Sequence, residues 1–244
     1  MSLPIASEVT TRLRGATRAQ VVVNLEHVSV RYRVPLERFG TFKEYFIRRI
    51  QGRVDYRDFW ALYDIDLEIR AAEVFGVIGR NGAGKSTLLK VISRVLRPTR
   101  GRIRVWGQVA PLLDLGAGFH PELTGRENVF LNGALLGRSQ AEVAQRFEEI
   151  VGFAELGPFI DAPLRTYSSG MVARLGFAVA TAWEPDLLVL DEVMAVGDEM
   201  FQQKCHDRIR AFRQRGTTVI LVSHNMGQVQ KVCQRAAWID QGVL

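Results

Sequence analysis

Two short segments carry the residues best suited to chemistry. The first is Gly79-Arg80-Asn81-Gly82-Ala83-Gly84-Lys85-Ser86, which fits the spacing G-x-x-x-x-G-K-[ST] of a phosphate-binding loop. Its glycines let backbone N–H groups close on an anion, and a helix that follows adds the partial positive charge of its N-terminus. Lys85 is placed to reach β- and γ-phosphates, Ser86 to offer a hydroxyl to Mg²⁺, and Thr87 to support the loop beside them. The second is Leu187-Leu188-Val189-Leu190-Asp191-Glu192, an apolar strand ending in two acids. Asp191 suits the metal side, and Glu192 suits a carboxylate that polarises an attacking water. Together they read as hydrolysis of a nucleoside triphosphate.

The flanking pattern supplies the elements that must hold these groups. Val74 to Ile78 reads as a buried strand before the glycine loop, and Lys85 to Leu96 as the helix after it. Val21 to Val23, Val28 to Tyr32, Asp66 to Ile69 and Gly101 to Trp106 read as strands, as do Leu187 to Leu190, Thr217 to Val222 and Ala236 to Asp240. Thr124 to Ala182 is rich in helix formers at a period near 3.6, and Met200 to Gln214 forms a further helix. In the stretch Val34 to Asp58, Phe39, Phe42, Tyr45, Phe46 and Ile50 recur at helical spacing among Lys43, Arg48 and Arg49. This is a short basic amphipathic helix, either packed on the core or lying at an interface. The expected fold is α/β: a P-loop NTPase core of mixed sheet and helices, with an N-terminal antiparallel β region and an inserted helical subdomain.

Composition narrows the class further. The chain has 244 residues, 47% hydrophobic and 24% charged, which suits a globular α/β unit and excludes disorder, collagen or coiled coil as a whole-chain description. No run approaches the roughly 18 apolar residues of a membrane helix. The net charge of +6 is scattered and reads as a solvated basic surface. Cys205 and Cys233 lack metal-ligand spacing and fit a reduced, cytosolic protein. Residues 1–20 lack the pattern of a signal peptide and, with Arg12, Arg14 and Arg18, read as a flexible basic arm.

Between the two chemical segments lies Tyr167-Ser168-Ser169-Gly170-Met171. With it the chain resembles the ATP-binding-cassette (ABC) ATPases, whose signature is L-S-G-G-Q; Tyr167, Ser169 and Met171 depart from that pattern. The resemblance runs from about Val21 to Leu244 and implies a homodimer. Ser168, Ser169 and Gly170 of one subunit would then contact ATP held by the other. It implies that His224, after the Val219 to Val222 strand, contacts the γ-phosphate, and that Ala195-Val196-Gly197-Asp198 forms the loop crossing the interface. Tyr32, ending Val28-Ser29-Val30-Arg31-Tyr32, matches the aromatic that stacks on adenine, with Phe59, Trp60 and Tyr63 as rivals. The family's glutamine near the γ-phosphate is missing: Asp114 stands in its place as a candidate metal or water ligand, and Gln108 comes too early.

The stretches Leu115 to Gly125 and Asp191 to Asp198, with Tyr-Ser-Ser-Gly-Met, resemble one subgroup: ATPase subunits of exporters of lipid-linked polysaccharides, of O-antigen, capsule and teichoic acid type. The resemblance implies an ATP- and Mg²⁺-dependent subunit, bound peripherally at the cytoplasmic face of the inner membrane to an integral-membrane permease. It also implies that helix 39–50 sits at that interface, and that members continue past the position of Leu244, some with a carbohydrate-binding domain. The expected layout is an arm at 1–20 and a nucleotide-binding domain at 21–244, with the helical subdomain at about 114–182. The alternatives are an ABC exporter ATPase for another cargo, a lipid or drug, and a soluble ABC ATPase acting on nucleic acid. The latter class normally has two cassettes or a long coiled coil, so no nucleic-acid partner is expected.

Overall fold

Short apolar runs become strands buried on both faces, because helices or a second sheet cover each side of a parallel sheet. In the computed structural model, which describes residues 20–35, 56–112, 115–191, 197–223 and 226–244, the order is β1 (Val21–Pro35), β2 (Tyr56–Arg70), β3 (Val74–Ile78), α1 (Lys85–Ile92), β4 (Arg100–Val105), β5 (Val109–Leu112), α2 (Gly125–Leu135), α3 (Gln140–Ala154), α4 (Ser169–Ala180), β6 (Leu187–Leu190), α5 (Glu199–Gln214), β7 (Thr218–Val222), α6 (Met226–Val232) and β8 (Arg235–Trp238). Residues 1–19, the amphipathic segment 39–50, Asp114, Glu192, Ala195, Val196 and His224 lie outside the described residues.

Two sheets form. β2, β1 and β4 make an antiparallel sheet, and β5-β6-β7-β3-β8 make a parallel one. Every residue of β3, β6 and β7 is buried. Alternate residues of these strands face opposite sides. Phe75, Val77, Leu187, Val189, Ile220 and Val222 share one cluster with the inner face of the antiparallel sheet and with Leu88, Leu89, Val91 and Ile92 of α1. Val74, Leu188, Leu190, Val219 and Leu221 share the other with Phe177 of α4 and with Phe201, Cys205, Ile209 and Phe212 of α5. The phosphate-loop helix is thus held between two sheets. A third core joins α2, α3 and α4. Capping boxes start α2 at Thr124 and Glu127 and α3 at Ser139 and Glu142, and these bonds pull both glutamate pKa values down.

Several boundaries differ from the sequence reading. Strands read at 21–23 and 28–32 are one strand, β1, with irregularities against β2; His27 and Asp64 there take left-handed φ of 51° and 52°. β1 and β2 also extend into the stretch read as a separate region from Val34 to Asp58. α1 ends at Ile92 rather than Leu96, because Arg94 turns to φ 60°, which an α-helix does not accommodate. Cys205 is buried, which pushes its thiol pKa up to about 12.

Candidate nucleotide site

The glycine loop leaves β3 and enters α1 through Gly84 at φ 113°, and among the described residues no side chain caps this helix. Its first N–H groups therefore remain available for an anion. A Cβ on Gly79 would lie 2.2 Å from the carbonyl oxygen of Ile239, and one on Gly84 2.6 Å from that of Ala61. The loop is folded tightly against backbone on one side. At Gly82, by contrast, a Cβ would meet no atom of the described residues within 4 Å. Lys85 Nζ donates to the carbonyls of Gly79 at 2.7 Å and Arg80 at 2.9 Å. Arg80, Asn81 and Ser86 are exposed, Thr87 is half-buried, and Ala83 is buried.

Strand register brings the other chemical residues to the same edge. β7 pairs with β3, Leu221 opposite Gly76, and β6 pairs with β7, Leu190 opposite Leu221. Asp191, half-buried, follows the end of β6, two strand spacings or about 10 Å from β3. Ser223 donates its N–H to Val77 O at 3.3 Å, so the chain leaves β7 directly beside the loop strand. Gln108 goes elsewhere. It precedes β5 at the opposite edge of the sheet, accepts from Arg138 Nη2 at 2.5 Å, and donates its N–H to Asp186 Oδ2 at 2.7 Å.

The signature-like segment starts α4. Ser168 is its N-cap, and its Oγ accepts from Met171 N–H at 3.2 Å. The hydroxyl keeps its own proton for a further bond. Ser168 and Ser169 are exposed and Gly170 is half-buried at the same turn. Tyr167, the departure from Leu, donates its hydroxyl to Phe159 O at 2.6 Å, and its burial pushes the phenol pKa up. Gly125 makes room for it: a Cβ there would lie 2.3 Å from the Tyr167 hydroxyl oxygen. Further along α4, Gly176 lets the helix sit on the loop after β5, where a Cβ would lie 2.8 Å from Gly116 N.

Of the adenine candidates, Tyr32 stands opposite Phe59, both exposed. Tyr32 shares the face of buried Val30, two residues earlier. Trp60 is flanked by the guanidinium groups of Arg31 and Arg100 at 5.6 and 5.2 Å, and Tyr63 meets its ring edge-on at 5.9 Å. Trp60 therefore has partners within the chain, and Tyr32 and Phe59 are exposed on neighbouring strands.

Residues 62–195 match the family model described as ABC transporter. An O-antigen export system ATP-binding protein of Klebsiella pneumoniae is 48% identical over 221 residues, which are 90% of each chain. The chain belongs to the ABC transporter family. As a cassette of that family it is an ATPase. A Myxococcus xanthus protein of the same description is 49% identical over 88% of this chain, which spans 50% of that relative's length. Among solved structures, a dimeric ATP-binding cassette in a post-hydrolysis state with ADP and Pi superposes with a TM-score of 0.68 at 22% identity, over 91% of this chain and 96% of that one. This likeness shows the fold.

Two features of the cassette escaped the sequence reading. Arg174 follows the signature-like segment, one helical turn past Gly170, and is the charged residue of the otherwise uncharged α4, which was its signal. It donates to Asp198 Oδ2 at 2.6 Å and Glu155 Oε2 at 3.0 Å and lies 4.9 Å from the Phe201 ring centre. It thereby ties the signature helix to the N-cap of α5. The other is the turn at Asp240-Gln241-Gly242, whose residue types mark a turn but whose contact with the phosphate loop only the fold reveals.

Proposed function

We propose that this cassette is the ATP-hydrolysing subunit of an exporter that moves a lipid-linked polysaccharide across the cytoplasmic membrane. The observation that carries the reading is the 48% identity to the Klebsiella O-antigen export protein over nine-tenths of both chains.

In this reading the N–H groups of residues 79–87 and the uncapped start of α1 bind the phosphates. Lys85 turns from its own loop carbonyls to the β- and γ-phosphates, and Tyr32 stacks on adenine. The exposed Ser86 hydroxyl and the Asp191 carboxylate are hard oxygen donors of the kind Mg²⁺ takes, and Asp114 is a third candidate. Mg²⁺ held by these residues would supply positive charge to offset that of the phosphates. Glu192 polarises the attacking water, and His224 with Lys85 stabilises charge that develops on the γ-phosphate. Two subunits close head-to-tail, so that Ser168, Ser169 and Gly170 of one complete the site of the other. Closing and opening drive an integral-membrane permease. In this reading the subunit acts peripherally at the cytoplasmic face of the membrane, bound to that permease. No helix among the described residues is long and apolar enough to cross a membrane. The segment 39–50 lies against the membrane interface, and nucleic acid is not a partner.

Deleting the gene in its source organism tests the cargo. Lipid-linked glycan trapped inside the cell above a bare surface is the expected result. An unchanged surface with no trapped polymer would remove the polysaccharide assignment and leave an ABC ATPase with another cargo.

A further inference from the structure

The turn after β8 is built into the phosphate loop. β8 runs parallel to β3, Ile239 N–H donates to Ile78 O at 2.7 Å, and the chain then reverses, with Asp240 and Val243 exchanging two backbone bonds of 2.9 Å each. Gly242 stands in this reversal at φ 82°. Its N–H donates to Ala83 O at 2.8 Å, and its carbonyl accepts from Tyr63 N–H at 2.8 Å. Three backbone segments meet here. A Cβ on Gly84 would lie 2.6 Å from Ala61 O, and one on Gly242 would lie 2.8 Å from the same oxygen. Ala61 sits where β2 slips against β1, between the pairs Val30–Leu62 and Arg31–Trp60.

Ala83 and Gly84 share one planar trans peptide, whose C=O and N–H point in opposite directions. A tether on the Ala83 carbonyl therefore fixes the direction of the Gly84 N–H. That carbonyl points to the Gly242 turn, so the N–H points away from it. We infer that Gly242 is a positioning residue for the nucleotide: its N–H sets the tilt of the Ala83–Gly84 peptide and so aims Gly84 N–H at the phosphates. Glycine is required there twice over, by the left-handed φ and by the approach to Ala61 O. The inference takes phosphate binding at residues 79–87 as its basis.

The test measures ATP and ADP binding by calorimetry, and steady-state ATPase activity, in the parent and in Gly242→Ala. A misdirected donor to a charged phosphate weakens binding, and it does so equally in the ground and transition states. The variant is expected to bind both nucleotides about tenfold more weakly and to raise KM similarly, with kcat within about threefold of the parent. Gly216→Ala is the control, because Gly216 has φ 96°, a Cβ there would meet no atom of the described residues within 4 Å, and it lies before β7, at the end of that strand away from the loop. It carries the same backbone strain and should keep the parent affinity.

A folded Gly242→Ala with parent affinity would overturn the inference. If that variant does not fold, amide hydrogen exchange in the parent decides. The Gly242 and Tyr63 amides should exchange more slowly when ATP is bound, and unchanged protection would overturn the inference. A parent that binds no nucleotide would instead remove the reading of residues 79–87 itself, and the role of Gly242 with it.

Discussion

Two helix N-termini of the cassette, those of α1 and α4, are built in opposite ways. The start of α1 has no side-chain cap among the described residues; its loop is fixed by backbone contacts at Gly79, Gly84 and Gly242 and lies between two sheets. The start of α4 carries its own cap in Ser168 and is fixed by side chains: Tyr167 on Phe159 O, and Arg174 on Asp198 and Glu155. A loop fixed by backbone geometry constrains its sequence tightly, since almost any side chain at those glycines collides. A segment fixed by side-chain tethers tolerates replacement where a new tether forms. That is why the phosphate loop fits its pattern at every position while the signature departs at three.

The largest expected effects come from striking each N-terminus chemically. Lys85→Ala should lower ATPase activity by about a hundredfold or more, the loss seen when a donor to developing charge is removed, and leave the fold intact. Gly170→Asp attacks the other end. A carboxylate about 4 Å from a phosphate charge is repelled by about 4 kcal/mol at an effective dielectric near 20. The same carboxylate at a helix N-terminus stabilises the helix by about 0.3–1 kcal/mol. Activity should therefore fall at least about a hundredfold while Tm holds or rises. A fall in Tm alongside activity would mean that the segment serves the fold rather than the site.

Smaller effects sharpen the account of the tethers. Gly125→Ala drives a methyl group against the Tyr167 hydroxyl and the Ile160 carbonyl, and should destabilise the protein by about 1–3 kcal/mol. Tyr167→Phe removes one hydrogen bond and should cost about 1 kcal/mol in urea unfolding. In the double variant the clash with the hydroxyl is gone, so the two losses should add to less than their sum. Simple additivity would contradict the contact.

Much of this was legible in the sequence for identifiable reasons. β3, β6 and β7 are buried on both faces and read as unbroken apolar runs. The loop glycines are dictated by local geometry. β5 was not read as a strand because it contains Pro111, which lacks an N–H; it is tolerated because β5 lies at the sheet edge. β1 and β2 were fragmented in the reading because their irregular register breaks the alternation that marks a strand. The tethers of Tyr167, Arg174 and Gly242 join residues far apart in sequence, so no local pattern announces them. Of the predicted site, Tyr32, the phosphate loop, Asp191 and Ser168 to Gly170 fall among the described residues. Glu192, His224 and Asp114 do not; the role of Glu192 rests on its place after the apolar strand and Asp191, and those of His224 and Asp114 on the resemblance.

The smallest effect lies away from both helix starts. The hydrogen bond to Asp64, with the charge of Asp66, raises the pKa of His27 above its ordinary value. A raised folded-state pKa contributes stability below the unfolded value near 6.5, and that contribution disappears as pH rises through the folded value. An NMR titration should place the His27 midpoint above 6.5, and Asp64→Asn should lower it. A parent midpoint at or below 6.5 would contradict the pairing. Because the imidazole is exposed, ATPase activity should not follow this titration.

The central claim is that the two helix starts meet across a subunit boundary, and mixing variants tests it most directly. Lys85→Ala and Gly170→Asp subunits are each expected to be inactive alone. Co-assembled in equal amounts, a mixed pair joins the intact loop of one to the intact signature of the other. Random pairing should then restore about a quarter of parent ATPase activity, because half the dimers carry one complete site of two. A mixture no more active than either variant alone would contradict the account and place both segments at the same site within one chain.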